Sequence, residues 1–165
     1  MTISFILNGR RIKIELNPNE TLLNCLRQKF GMTSVKKGCE LGECGACTVL
    51  VNGSPLRSCL MLAIQAEGCE VTTVEGLSEI ELHPIQKAFI EKNAYQCGYC
   101  TPGMILATKA LLDRTPFPTP EKIKEWLEGH LCRCTGYEQI IEAVLRASEI
   151  IRENIYGQRG CRKSG

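Results

Sequence analysis

The sequence predicts an α+β chain with two parts, a β-grasp arrangement of strands around one helix followed by a four-helix bundle. Two observations carry this prediction. In the first half, apolar and polar residues alternate over short runs that are separated by Asn-Gly dipeptides. From about residue 76 onwards, apolar residues recur at helical spacing in four segments. We therefore predict one domain over residues 1–76 and a second over residues 77–165.

The first half begins with a predicted β-hairpin. Asn8-Gly9 between two alternating runs is typical of a two-residue hairpin turn, and Asn52-Gly53 repeats the signal further along. Gly31 is the expected end of an amphipathic helix. Strands are predicted around Ile3–Leu7 and Ile12–Leu16, and further along at Thr48–Val51 and Glu70–Val74. The predicted helix follows Asn17-Pro18-Asn19, and its apolar side contains Leu22, Leu23, Leu26 and Phe30.

The second half contains the four helical patterns. Pro84 suits the first turn of one helix, and Thr119-Pro120-Glu121 opens another after a proline-rich linker, Asp113–Pro120. The tail Gly157–Gly165 is rich in Gly, Arg and Lys and is expected to be mobile. The apolar faces of the four helices lie within Ile85–Phe89, Met104–Leu112, Ile123–Leu127 and Ile140–Ile151.

Composition excludes several classes of function. Hydrophobic residues make up 44% and charged residues 23% of the 165 residues, as in globular proteins. The net charge of +2 arises from mixed basic and acidic residues, without the basic patch of a nucleic-acid-binding protein. No secretory signal opens the sequence and no apolar run is long enough to span a membrane. We therefore expect a cytoplasmic protein.

Eleven cysteines are the main anomaly of the composition. An odd number cannot pair completely into disulfides within one chain. In a reducing compartment, a high cysteine count usually indicates bound metal.

A first group of four cysteines has the spacing of a plant-type [2Fe–2S] ferredoxin: Cys39, Cys44, Cys47 and Cys59. The interleaved glycines allow the loop to curl tightly, so that main-chain N–H groups approach the cluster sulfurs. Structural zinc sites favour a Cys-x2-Cys pair on each side, whereas here the last cysteine stands alone. The spacing therefore favours iron and sulfur over zinc.

A second group consists of Cys97, Cys100, Cys132 and Cys134. Each of its two pairs directly precedes a helical pattern, and Thr101-Pro102-Gly103 and Thr135-Gly136-Tyr137 are predicted to open those helices. Two helix N-termini facing an anionic centre would stabilise it. No βαβ pattern surrounds the first pair, which argues against a thioredoxin-like dithiol. Spacing alone leaves both an iron–sulfur cluster and zinc open for this group.

The residues around the cysteines resemble a known family. Lys37–Val49, Gln96–Gly103 and Gly129–Tyr137 together resemble the iron–sulfur subunit of the molybdenum hydroxylases, the xanthine dehydrogenase/aldehyde oxidase family. The resemblance extends from the Asn8-Gly9 hairpin to about Arg152. It implies a ferredoxin-like domain followed by a helical domain, each carrying one [2Fe–2S] cluster, and so resolves the second group in favour of iron.

The same resemblance implies partners and a direction of electron flow. Electrons would pass from a molybdopterin cofactor on a large subunit through the second cluster and then the first to FAD on a medium subunit. Gln96 and Cys134 match positions that touch the pterin in relatives. The chain lacks room for either cofactor domain, so we expect a small subunit that is not catalytic alone, in a dimer of heterotrimers. A free-standing two-cluster carrier or redox sensor is the alternative.

The remaining cysteines and both histidines are interpreted as structural. Cys25 lies on the apolar side of the first helix, Cys69 has no partner at a suitable spacing, and Cys161 falls in the tail. His83 is expected to cap a helix, and His130 to pack or hydrogen-bond beside the second group.

Overall fold

The computed structural model describes residues 1–78 and 80–160, with side chains as far as residue 154. Strands occupy the first part of the described chain, and all but one of the described helices follow them, so the structure is mixed α and β as predicted. The strands are β1 (Thr2–Leu7), β2 (Arg10–Glu15), β3 (Thr48–Val51), β4 (Ser54–Arg57) and β5 (Glu70–Thr72). The helices are α1 (Leu22–Phe30), α2 (Pro84–Glu91), α3 (Thr101–Arg114), α4 (Pro120–Leu127) and α5 (Glu138–Gly160).

The strands form one five-stranded sheet in the order β2-β1-β5-β3-β4. β1 runs parallel to β5, and the other neighbours are antiparallel. Both predicted hairpin turns are confirmed, since Asn8-Gly9 and Asn52-Gly53 have the positive φ angles of a type I′ turn. β5 ends two residues earlier than predicted because Val74 begins a 3₁₀ turn.

α1 covers one face of the sheet, and it ends at Gly31 as predicted. The Thr21 side chain accepts a hydrogen bond from the Asn24 N–H at 3.2 Å, and Gly31 ends the helix with a φ of 66°. Its buried residues are Leu22, Leu23, Cys25 and Leu26. These residues pack with Phe5 and other strand residues in a hydrophobic core that is distinct from the core of the later helices.

β3 connects the sheet to the helices. All four of its residues are buried because both of its faces are covered. Val49 and Val51 point into the core beneath α1, whereas Leu50 packs against Leu106 and Ala110 of α3. The two halves of the chain therefore share a packed interface and are not separate bodies on a linker.

The helical half has its own core, in which α2 packs along α5. Pro84 occupies the first turn of α2, and His83 caps that helix by accepting from the Ile85 N–H at 3.2 Å, as predicted. One prediction was wrong: α5 begins at Glu138, because Tyr137 has a positive φ of 68° that a helix does not accommodate.

The helix α5 also extends further than the sequence suggested. It continues to Gly160, across the first four residues of the segment expected to be mobile. Cys161 lies outside the described residues. None of the described helices is both long and apolar enough to cross a membrane.

Candidate iron–sulfur sites

The first cysteine loop lies between α1 and β3, and its main chain curls around the thiol of Cys39. The N–H groups of Leu41 and Cys44 lie 3.3 and 3.4 Å from this sulfur. These hydrogen bonds, that from Leu41 foremost, lower the pKa of the Cys39 thiol to about 6. The loop is therefore built to stabilise negative charge on sulfur.

Glycines in this loop are required by close approach and by backbone conformation. Gly42 and Gly45 have φ angles of 82° and 72°. A Cβ atom at Gly38 would lie 2.7 Å from the Cys44 sulfur, and one at Gly45 would lie 2.6 Å from the His130 ring. Gly38 therefore leaves room for the Cys44 sulfur, and Gly45 leaves room for the His130 ring.

Cys47 and Cys59 complete the group from opposite ends of the β3–β4 hairpin. Thr48, next to Cys47, pairs with Arg57 at the base of the hairpin, which returns the chain to the same edge. The Ser58 hydroxyl donates to the Cys47 carbonyl at 2.7 Å and secures this return. Both thiols are buried and contact each other, and burial, followed by this contact, raises the pKa of Cys59 to about 11.

The second group also forms two thiol pairs. The sulfurs of Cys97 and Cys134 lie 3.5 Å apart and both residues are exposed. Cys100 and Cys132 are half-buried and contact each other; burial, followed by this contact, raises the pKa of Cys100 to about 12. All eight predicted cysteines are thus brought together in two groups of four, each with one more exposed and one more buried pair.

Hydrogen bonds converge on Cys132 as they do on Cys39. The Thr135 N–H and hydroxyl lie 3.3 and 3.1 Å from its sulfur. Burial opposes ionisation of this thiol, yet the Thr135 contacts leave its pKa below the ordinary value. The Cys132 N–H donates to the Tyr137 hydroxyl at 2.8 Å, which in turn donates to the His130 carbonyl at 3.1 Å.

Two helix N-termini were predicted to face the second cysteine group, and the structure places only one of the two predicted helix starts next to it. α3 begins directly after Cys100, so its first N–H groups adjoin the second group as expected. α5 does not, because Thr135–Tyr137 form a loop before it. On this side, the hydrogen bonds of Thr135 take the place that the helix terminus was predicted to fill.

The two groups suit a centre with more than one metal ion. Cys39 contacts Cys44, and Cys47 contacts Cys59, just as the second group divides into two pairs. A tetrahedral zinc site brings all four ligands around one point, whereas a [2Fe–2S] cluster takes two thiolates on each iron. The residues present therefore fit a [2Fe–2S] cluster.

We call the contact between the loop that contains Cys44 and the loop that contains Leu131 the seam. It includes residues that the sequence analysis did not identify. The Leu131 N–H donates to the Cys44 carbonyl at 2.9 Å and joins the two cysteine loops directly. Arg57 reaches across the same seam to the Gly129 carbonyl. The prediction for His130 is confirmed: it is buried and hydrogen-bonded beside the second group, and burial, followed by the charge of Arg57, lowers its pKa to about 4. No local pattern marks Arg57, since its contacts depend on tertiary structure.

Comparison with known proteins identifies the chain. A family model described as a 2Fe-2S iron-sulfur cluster binding domain matches residues 5–70, and one described as a [2Fe-2S] binding domain matches residues 73–145. The nicotinate dehydrogenase small FeS subunit of Eubacterium barkeri is 53% identical over 151 residues, which cover 90% of this chain and 96% of that protein. The chain belongs to the molybdenum hydroxylase iron–sulfur subunits.

Two further comparisons support this membership. The xanthine dehydrogenase iron-sulfur-binding subunit of Escherichia coli O157:H7 is 46% identical over 148 residues, covering 88% of this chain and 92% of that one. The crystal structure of quinoline 2-oxidoreductase from Pseudomonas putida 86 contains a chain that superposes with a TM-score of 0.89 at 44% identity, over 93% and 96% of the two chains. As a molybdenum hydroxylase iron–sulfur subunit, this protein transfers electrons within an oxidoreductase complex and carries two [2Fe–2S] clusters.

The other described cysteines, Cys25 and Cys69, lie in or against the core of the first half of the chain. Cys25 is fully buried on α1, and burial raises the pKa of its thiol to about 11, so that it is an inert core residue in this iron–sulfur subunit. Cys69 is half-buried, and its thiol donates to the Gln65 carbonyl. The interpretation of Cys25 as a buried free thiol is confirmed.

Proposed function

We propose that Cys39, Cys44, Cys47 and Cys59 bind one [2Fe–2S] cluster of this subunit. The observation that carries the assignment is the division of the four thiols into two contacting pairs around a loop whose N–H groups face a sulfur. In this proposal each pair would bind one iron. The equivalent pairing of the other group supports a second cluster bound by Cys97, Cys100, Cys132 and Cys134.

The domain assignment is part of the same proposal. We assign residues 1–76 to a β-grasp domain of the plant-type ferredoxin kind and residues 77–165 to a four-helix-bundle [2Fe–2S] domain. The parallel pairing of β1 with β5 and the placement of α1 across the sheet support the first assignment. The separate core formed by the helices after residue 84 supports the second.

The exposed surfaces of the two sites support fixed partner subunits. Leu41 and Leu60, beside the first site, are 72% and 63% exposed, and Leu131 beside the second is 56% exposed. Leu60 packs against Gly42, the neighbour of Leu41, and contiguous exposed apolar surface of this kind commonly marks a protein interface. We therefore propose a large molybdopterin-binding subunit and a medium FAD-binding subunit as partners, in a dimer of heterotrimers.

Gln96 and Cys134 mark the proposed entry point for electrons. Both residues are exposed, and the Cys134 sulfur lies beside that of Cys97 at the surface. A pterin bound to the large subunit would reach this edge without displacing any buried residue. Electrons would then pass through the second cluster, across the seam to the first, and on to FAD.

The residues of this chain stabilise reduced centres but do not transform a substrate. A bound cluster supplies one-electron redox chemistry at each site. Main-chain N–H groups aimed at Cys39, and the Thr135 hydroxyl aimed at Cys132, stabilise negative charge on the ligand sulfurs. Hydroxylation of a carbon beside nitrogen or of an aldehyde would take place on the large subunit.

The decisive experiment is anaerobic purification of the native complex with iron and sulfide analysis and EPR spectroscopy. We expect two irons and two sulfides for each group of four cysteines, together with two distinct EPR signals after reduction. Zinc in place of iron at the Cys97 group would refute the assignment. Elution of the iron-containing chain alone in size-exclusion chromatography would instead favour the free-standing carrier.

We expect Thr135→Val to lower the midpoint potential of the second cluster without loss of iron. Valine keeps the shape of threonine but removes the hydroxyl that donates to the Cys132 sulfur, and hydrogen bonds to sulfur raise cluster potentials. EPR-monitored redox titration measures the shift. Thr108→Val is the control, since the Thr108 hydroxyl is buried and has no hydrogen-bond partner among the residues that the structure describes. This variant should leave both potentials unchanged.

A further inference from the structure

Three side chains hold the two cysteine loops together across the seam, and we call Arg57, Thr48 and His130 the interloop clamp. We propose that the interloop clamp fixes the separation of the two clusters and thereby sets the rate of electron transfer between them. The inference rests on the proposed function and assigns to these three residues a positioning role in it. None of them is a proposed cluster ligand.

Arg57 spans the seam with its whole guanidinium group. Its Nε donates to the Gly42 carbonyl of the first cysteine loop at 3.3 Å. Its Nη2 donates to the Gly129 carbonyl, which precedes Cys132 in the chain. Its Nη1 donates to the Thr48 hydroxyl at 2.7 Å. A planar fork with several donors makes these contacts together, and a lysine ammonium does not reproduce them.

Thr48 and His130 form the buried part of the interloop clamp, with 1% and 5% exposure. The Thr48 hydroxyl donates its one proton to the Gly45 carbonyl at 2.7 Å and accepts from Arg57. His130 Nε2 lies 3.0 Å from the same oxygen. The same Nε2 lies 3.3 Å from Arg57 Nη1, so the imidazole adjoins both other members of the interloop clamp.

The loops that the clamp joins touch through their main chains. The Leu131 N–H bonds the Cys44 carbonyl at 2.9 Å, and a Cβ atom at Gly45 would lie 2.7 Å from the Gly129 carbonyl. The side chain nearest to Gly45 at this contact is His130, which is itself a member of the interloop clamp. The distance between the loops is therefore set by the hydrogen bonds that hold them, and removal of Arg57 leaves the Gly42 and Gly129 carbonyls without this donor.

The electron balance needs no other reactant. With both clusters bound, one electron would leave the reduced centre held by the Cys97 group and enter the oxidised centre held by the Cys39 group, so that one centre would lose and the other gain a single electron. No proton moves, and the clamp residues are neither oxidised nor reduced. Their effect is on geometry alone.

The test uses Arg57→Lys in the purified complex with its partner subunits. We expect full iron and sulfide content, a several-fold slower transfer of an electron between clusters in rapid-freeze EPR, and a changed magnetic splitting between the two reduced clusters. Arg27→Lys is the matched control. Arg27 donates to the carbonyls of Thr33 and Val35 within the first half only, so both readouts should stay as in the unsubstituted complex.

A second pair of variants keeps the test decisive if Arg57→Lys fails to assemble. Thr48→Val removes the hydroxyl at nearly constant volume and should slow the transfer, whereas Thr48→Ser retains the hydroxyl and should restore it. If the rate of electron transfer and the magnetic splitting are unchanged in Thr48→Val, or in an assembled Arg57→Lys complex, the proposed role of the interloop clamp is refuted. Absence of iron from the unsubstituted protein would instead refute the proposed function, so the two failures are distinguishable.

Discussion

We expect Cys44→Ser to abolish the EPR signal of the first cluster and to leave that of the second intact. A serine hydroxyl binds iron much more weakly than a cysteine thiolate, so the variant would have three strong ligands in place of four. Because metal binding also stabilises the fold of such a loop, the weakened cluster should be lost. The second group is spared because Cys44 connects to it through its main-chain carbonyl, which serine retains. Iron analysis of the variant should show half of the native content.

Cys69→Ser is the matched control for this experiment. Cys69 lies in the same half of the chain and is similarly half-buried, and its thiol donates to the Gln65 carbonyl, as a hydroxyl also can. Both EPR signals and the full iron content should persist. Retention of both signals in Cys44→Ser would show that the ligand assignment is incorrect.

We expect Gly103→Ala to weaken the packing between the two cysteine sites more than any surface substitution in the chain. Gly103 lies in the first turn of α3, and a Cβ there would overlap the Gly45 carbonyl oxygen, so that backbone meets backbone. Such overpacking lowers the free energy of unfolding by about 3 kcal/mol, whereas the higher helix propensity of alanine raises it by about 1 kcal/mol. The expected net decrease in the free energy of unfolding is about 2 kcal/mol. Thermal unfolding of the cluster-loaded protein measures it.

Gly136→Ala is the corresponding control. Gly136 lies in the loop after Cys134 and does not have a positive φ. A Cβ atom added there would have no atom of the described residues within 4 Å. Its stability should match that of the unsubstituted protein. Equal stability of Gly103→Ala would mean that α3 does not lie against the first cysteine loop as closely as the structure shows.

Local signals determined most of the fold. The hairpin at Asn8-Gly9, the helix bounded by Thr21 and Gly31, and the start of α3 after Cys100 each depend on residues adjacent in sequence. The start of α5 was misplaced because a positive φ at Tyr137, whose hydroxyl bridges Cys132 and His130, is a tertiary requirement. A periodic pattern contains no trace of that constraint.

The sequence by itself determined that two groups of four cysteines exist and, through their flanking residues, to which family the chain belongs. For the second group, spacing left zinc and iron open. Only the tertiary structure decided that its thiols come together in pairs, and that Arg57 crosses the seam to the loop of the second group. The reason is physical: ligand spacing is a local property of the chain, whereas the distance between two sites depends on hydrogen bonds between residues far apart in sequence.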